Sequence, residues 1–190
     1  QAGYDIQYSI TYSGQGEGPA QNYTGPFEVT DNCTVKAWFT DGTNAGDPAT
    51  LEIANIDRQA PVASADPESD ANKSQEKSVT VRVTETGSAG FNTNQGLNYA
   101  WTQSSITVPE GLTSLSGTNA DGANEISFTV PSGTGLTGTH YLYVAPVTDR
   151  AGNSSEARFF GPYEFDNTVP RPEFGPNGSD EYNKHYDVEI

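Results

Sequence analysis

The chain has 190 residues, with 25 acidic side chains against 9 basic ones, a net charge of −16, one cysteine and no methionine. That balance excludes a nucleic-acid groove, which sets lysine and arginine against phosphate, and no apolar run reaches the ~20 residues of a membrane-spanning helix. The lone Cys33 excludes an intrachain disulfide, including the inter-sheet bridge of antibody domains.

Tyr4, Ile6, Tyr8, Ile10 and Tyr12 alternate with Asp5, Gln7, Ser9 and Thr11, the period of a half-buried strand. After a glycine-rich loop the pattern predicts strands over Pro26–Thr30 and Thr34–Thr40, joined by a turn at Asp31, Asn32 and Cys33, and a closing strand over Leu51–Ile56. Asp57–Pro61 reads as a junction, because proline lacks an amide donor and biases its predecessor toward extended backbone. Beyond it, strands are predicted at Val62–Ala65, at Lys77–Thr84 with Val79, Val81 and Val83 on one face, and at Leu97, Tyr99 and Trp101. Ser104–Val108 is a weaker candidate; Ile126, Phe128 and Val130 mark the next. Thr139–Thr148 is apolar on both faces, as in a central strand, except that Pro146 predicts a bulge or an edge. Phe159–Phe165 ends the set, and Asp166–Pro170 forms a second junction. Six or seven strands in about 105 residues predict a two-sheet sandwich.

The sequence also repeats. Pro61, Pro67, Val79 and Val81 recur as Pro170, Pro176, Val188 and Ile190 at an offset of 109, and Ala37, Thr40 and Asp41 recur as Ala145, Thr148 and Asp149 at 108. Such spacing marks tandem modules. Residues 1–57 are expected to form the C-terminal part of one module, 58–168 a complete module and 169–190 the start of another, within an excerpt of a longer array.

The run Tyr141–Thr148 leading into D-R-A-G-N at Asp149–Asn153, then G-P-Y-E-F at Gly161–Phe165 and D-N-T-V-P at Asp166–Pro170, resembles the bacterial immunoglobulin-like tandem-repeat domains of secreted and cell-surface proteins. The resemblance implies an all-β fold of tandem immunoglobulin-like β-sandwich modules, one complete and two partial. It further implies an extracellular, cell-surface or virion-surface location. The role it implies is non-catalytic: a structural spacer in a stalk, adhesin or fibre, partnered by neighbouring modules or by subunits of a filament. A carbohydrate- or glycan-binding accessory module, or a phage fibre or decoration protein, is the alternative. The first copy departs from the pattern, since Asp41 is followed by Gly42, Thr43 and Asn44.

Asp57, Asp149, Asp166 and Asn167 are the candidates for Ca²⁺ ligation at the junctions, against the commoner use of Asp and Asn to bond turn amides. Trp38, Trp101 and the loop between Gly90 and Asn98 are the candidate glycan contacts, although Trp101 continues a core alternation. The pairs Glu68 with Asp70 and Glu164 with Asp166 lack a cleft pattern. Cys33, with only His140 and His185 as bases, makes a poor nucleophile, and no catalytic or zinc motif occurs. Lys36, Lys73 and Lys77 would support an isopeptide crosslink only if one were buried with an asparagine and an acid. Glycosylation sequons stand at Asn22, Asn32, Asn72, Asn153 and Asn177.

Overall fold

A computed structural model describes residues 3–170. It contains twelve strands and, among the described residues, no helix. The predicted start of a further module lies outside them from residue 171 onward.

Residues 62–165 build two sheets over one core. The first has the order β10-β7-β5, formed by β5 (Val62–Asp66), β7 (Val79–Thr84) and β10 (Glu125–Val130). The second has the order β6-β12-β11-β8-β9, adding β6 (Asp70–Ser74), β8 (Leu97–Thr102), β9 (Thr113–Leu115), β11 (Gly138–Val144) and β12 (Arg158–Phe165). All pairings are antiparallel except that of β6 with β12. The two-residue alternation of β7 turns Val79, Val81 and Val83 inward, where each is fully buried, and β10 adds Ile126, Phe128 and Val130 beside them. Leu97 and Tyr99 of β8, Leu142 and Val144 of β11, and Phe160, Tyr163 and Phe165 of β12 close the core from the other sheet. Each fully buried aliphatic or phenyl side chain contributes about 1.5–3 kcal/mol. The predicted sandwich layering therefore follows from the parity of these runs.

Details differ from expectation. The weak candidate Ser104–Val108 forms no strand; on the side away from β11, β8 pairs with β9, with Tyr99 opposite Thr113 and Leu97 opposite Leu115. β11 is central, as its two apolar faces predict, but it stops at Val144, so the exposed Pro146 interrupts no ladder. The irregularity falls earlier, between His140 and Leu142. There β12 carries Gly161 at φ +126°, a conformation that admits glycine readily. β6 had no sequence signal of its own, because its burial pattern shows no apolar alternation.

Residues 5–53 form a separate sheet of order β2-β1-β3-β4, from β1 (Asp5–Tyr12), β2 (Gln21–Asn22), β3 (Cys33–Thr40) and β4 (Ala49–Ile53). Ile6, Tyr8, Ile10 and Tyr12 stand opposite Phe39, Ala37, Val35 and Cys33, with Leu51 and Ile53 continuing the apolar face on β4. Phe27 stacks on Tyr8 at 4.4 Å, with Tyr23 edge-on to both. Even so, Phe39 is 61% exposed and Leu51 62% exposed. The predicted alternation is present, but its apolar face is open. The predicted strand over Pro26–Thr30 is absent, and Cys33 is the buried first residue of β3 instead of part of a turn. Among the described residues, the strand at the corresponding place in the sandwich, β10, is held only by β7, and the N-terminal sheet has no counterpart of β7.

Candidate functional site

The link between the two units runs over residues 54–61, and its side chains are built into the sandwich end. Asp57 accepts the Gln59 amide on Oδ1 at 2.8 Å and the Ser88 and Ala89 amides on Oδ2 at 2.5 and 2.6 Å. The Gln59 amide above all, helped by those of Ser88 and Ala89, holds this carboxyl below its ordinary value against the opposing effect of desolvation. Gly87, just before these amides, leaves room for the carboxylate: a Cβ there would stand 2.2 Å from Asp57 Oδ1.

Asp149 is 2% exposed and organises the D-R-A-G-N turn after β11. Its Oδ1 accepts the Asn153 amide and its Oδ2 accepts Asn153 Nδ2, both at 2.9 Å, while Gly152 takes φ +95°. The same Nδ2 reaches the main-chain oxygen of Asp57 at 3.1 Å, so the turn also grips the link.

Glu85, just past β7, is the third member. It is 7% exposed; Oε1 accepts the Gly87 amide at 2.7 Å, whereas the buried Oε2 has no hydrogen-bond partner. Asp57, Glu85 and Asp149 each bring a carboxylate oxygen within 4.8 Å of the others. Among the described residues, no cationic side chain pairs with any of them. Arg58 turns to Asp31 at 3.5 Å and Arg150 to Asp121 at 3.6 Å, although each arginine follows a member of the triad in sequence.

Sequence reasoning named Asp57 and Asp149 and missed Glu85. The signal was present: the inward parity of Val79, Val81 and Val83 continues to position 85. An acid there sits at the core's end.

Asp166 and Asn167 lie at the other junction and serve its turn. Asp166 Oδ1 accepts both the amide and the hydroxyl of Thr168, at 3.1 and 2.5 Å, and these bonds, the hydroxyl's first, keep its carboxyl below the ordinary value. Asn167 Nδ2 donates to Leu136 O at 2.6 Å and to Gln75 O at 3.2 Å. No acidic triad gathers around them among the described residues.

The remaining candidates are held in structural roles. Trp101 donates its indole NH to Pro131 O at 3.0 Å and packs edge-on against Tyr163 and Phe165; Trp38 is half-buried. The loop from Gly90 to Asn98 buries Phe91 fully and is pinned by Asn119, whose side chain bonds the Gln95 amide and Asn92 O. His140 is buried against Phe165, far along the chain from Cys33, which pairs with Tyr12 and Ile53; His185 lies outside the described residues. Asp70 accepts Lys77 Nζ at 2.8 Å, Glu68 receives the Gly161 amide on its main-chain oxygen, and Glu164 accepts the Thr139 hydroxyl at 2.6 Å. Of the three lysines, Lys77 is buried, beside Asp70 and Asn72, but the Asn72 atom it meets is the main-chain oxygen and not the side-chain amide. Lys36 pairs with Glu17 at the surface, and Lys73 is exposed. Among the sequons, Asn32 and Asn153 spend their side chains on Ile56 and Asp149, Asn22 and Asn72 are exposed, and Asn177 lies outside the described residues.

The chain matches no family model and no curated protein.

Proposed function

We propose that this chain is a stretch of a modular array of immunoglobulin-like β-sandwiches whose work is structural: to set reach and spacing in an extracellular stalk, adhesin or fibre. The observation that carries the reading is one strand order used twice. Read from one edge, β2-β1-β3-β4 repeats β9-β8-β11-β12, with the same succession in the chain. The local chemistry repeats with it. Asp41 clamps its turn through the Thr43 and Asn44 amides and Asn44 Nδ2, as Asp149 does through Asn153, despite the departure from D-x-A-G-N. Asp57 and Asp166 each cap the amide two residues on, 109 positions apart. On this reading the open face of the N-terminal sheet is the inner face of a sandwich and takes a second layer of the kind formed by β5, β7 and β10.

Small-angle scattering on the parent protein tests the proposal. A maximum dimension that grows in equal steps with the number of modules supports it; a compact particle of the same mass overturns it.

Glycan binding is the second reading, favoured by the exposed Tyr4, Tyr23, Phe27 and Phe39. These rings do not form a flat row, since Tyr23 stands at 83° to Tyr8 and 71° to Phe27, and aliphatic Ile6 and Leu51 share their face. Glycan-array binding abolished by Phe39→Ala would select this reading over the spacer.

A further inference from the structure

We propose that Asp57, Glu85 and Asp149 form a Ca²⁺ site that locks the inter-module link onto the sandwich. Two observations converge. Three carboxylates share a space in which their oxygens stand within 4.8 Å of one another, with both nearby arginines committed elsewhere. Independently, Glu85 is buried with one oxygen unpartnered, and an unpaired buried carboxylate oxygen is costly unless a cation faces it.

The donor set selects the ion. Only oxygen ligands are present, which disfavours zinc and other metals that seek imidazole or thiolate. Calcium stands about 2.3–2.6 Å from its ligands, so donors across the ion are about 4.6–5.2 Å apart; the observed spacing closes on an ion of that size. Magnesium demands a tighter octahedron and keeps most of its water. Solvent would complete the coordination on the side of Asp57, which is half-buried.

The three ligands come from three separate pieces of chain: the link, the end of β7 and the turn after β11. A bound ion would therefore tie the link to both sheets, adding to the Asn153, loop-amide and Thr86 hydroxyl bonds that already hold it. This consequence rests on the array reading; the binding itself does not.

Calorimetric titration of the whole chain with CaCl₂ and with MgCl₂, and thermal melts in Ca²⁺ and in EDTA, test the proposal. The expected dissociation constant for Ca²⁺ is about 10⁻⁴–10⁻³ M, weakening at least about tenfold in Glu85→Gln. In EDTA the variant should be at least as stable as the parent, because it relieves like-charge crowding, and in Ca²⁺ the order should reverse. Asp57→Asn, in the link, should weaken binding if Glu85→Gln fails to fold, and Asp121→Asn should leave it unchanged. Absence of Ca²⁺ binding up to roughly 10 mM, ten times the top of the expected range, or binding by both ligand variants as tight as the parent's, overturns the site. An equal response to Mg²⁺ overturns the assignment to calcium. If binding fails while scattering still shows an extended array, the spacer reading stands and only the ion falls.

Discussion

Lys77 is the sandwich's one fully internal cation among the described residues. Its side chain is 3% exposed, its Nζ donates to Asp70 Oδ2 at 2.8 Å, and it lies 6.0 Å from the centre of the Phe165 ring. The partners are unequal, because Asp70 retains 27% exposure and can be rehydrated where Lys77 cannot. Breaking a buried pair from the side that strands the buried charge is the more damaging choice. Asp70→Asn should therefore destabilise the sandwich more than Lys77→Met, which fills similar volume without charge; urea unfolding at pH 7 measures both. The pH dependence has a definite sign. The Lys77 hydrogen bond, foremost, keeps the Asp70 carboxyl below its ordinary 3.8. A depressed folded-state value means that the contribution is complete above the unfolded range, near pH 4, and is lost as pH falls through the lowered value. The stability gap between parent and Asp70→Asn should hold from neutral pH down to about 4 and then narrow in acid. A gap that widened below pH 4 would refute the pairing.

At the scale of elements, the two units share a strand order but differ in what covers them. β7, β10 and β11 carry fully buried side chains, whereas β1 and β3, apart from Ser9 and Cys33, carry partly or fully exposed ones. Local opening costs least where few apolar contacts are lost. Amides of 79–84, 126–130 and 142–144 should therefore exchange with deuterium most slowly, and those of 5–12 and 33–40 measurably faster; peptide-resolved exchange that ranks them the other way would contradict the open-face description. The same contrast explains what the sequence could reveal. Alternation in Val79–Val83 and Ile126–Val130 reports a face, and the structure buries both faces. Pairing is not local, so the runs Pro26–Thr30 and Ser104–Val108 looked like strands while nothing in them records whether a partner exists. β6 and β9 are the reverse case: short polar segments made into strands by β12 and β8 beside them. The acidic site was partly legible for the same reason. Asp57 and Asp149 stand in recognisable turns, but the convergence of Glu85 upon them is a product of the fold.

At the scale of the whole molecule, each unit carries one tryptophan, and this makes their coupling measurable. Trp38 lies on β3 of the N-terminal sheet and Trp101 on β8 of the sandwich. The polar contacts that tie the link to the N-terminal unit, among the described residues, are the Ile56 amide to Asn32 Oδ1 at 2.8 Å and the exposed Arg58–Asp31 pair at 3.5 Å. An exposed ion pair contributes only about 0.2–1 kcal/mol, too little to force two units into one cooperative transition. Denaturant unfolding followed by fluorescence in Trp38→Phe and Trp101→Phe should give two separate curves, with the Trp38 signal lost first because its sheet lacks a closed core. Coincident midpoints for the two reporters would mean that the units unfold as one body, and would weigh against an array of semi-independent modules. The three acids belong to the sandwich and its link, so calcium should raise the Trp101 midpoint and leave the Trp38 midpoint nearly fixed, whereas a general effect of salt on a chain of charge −16 would move both.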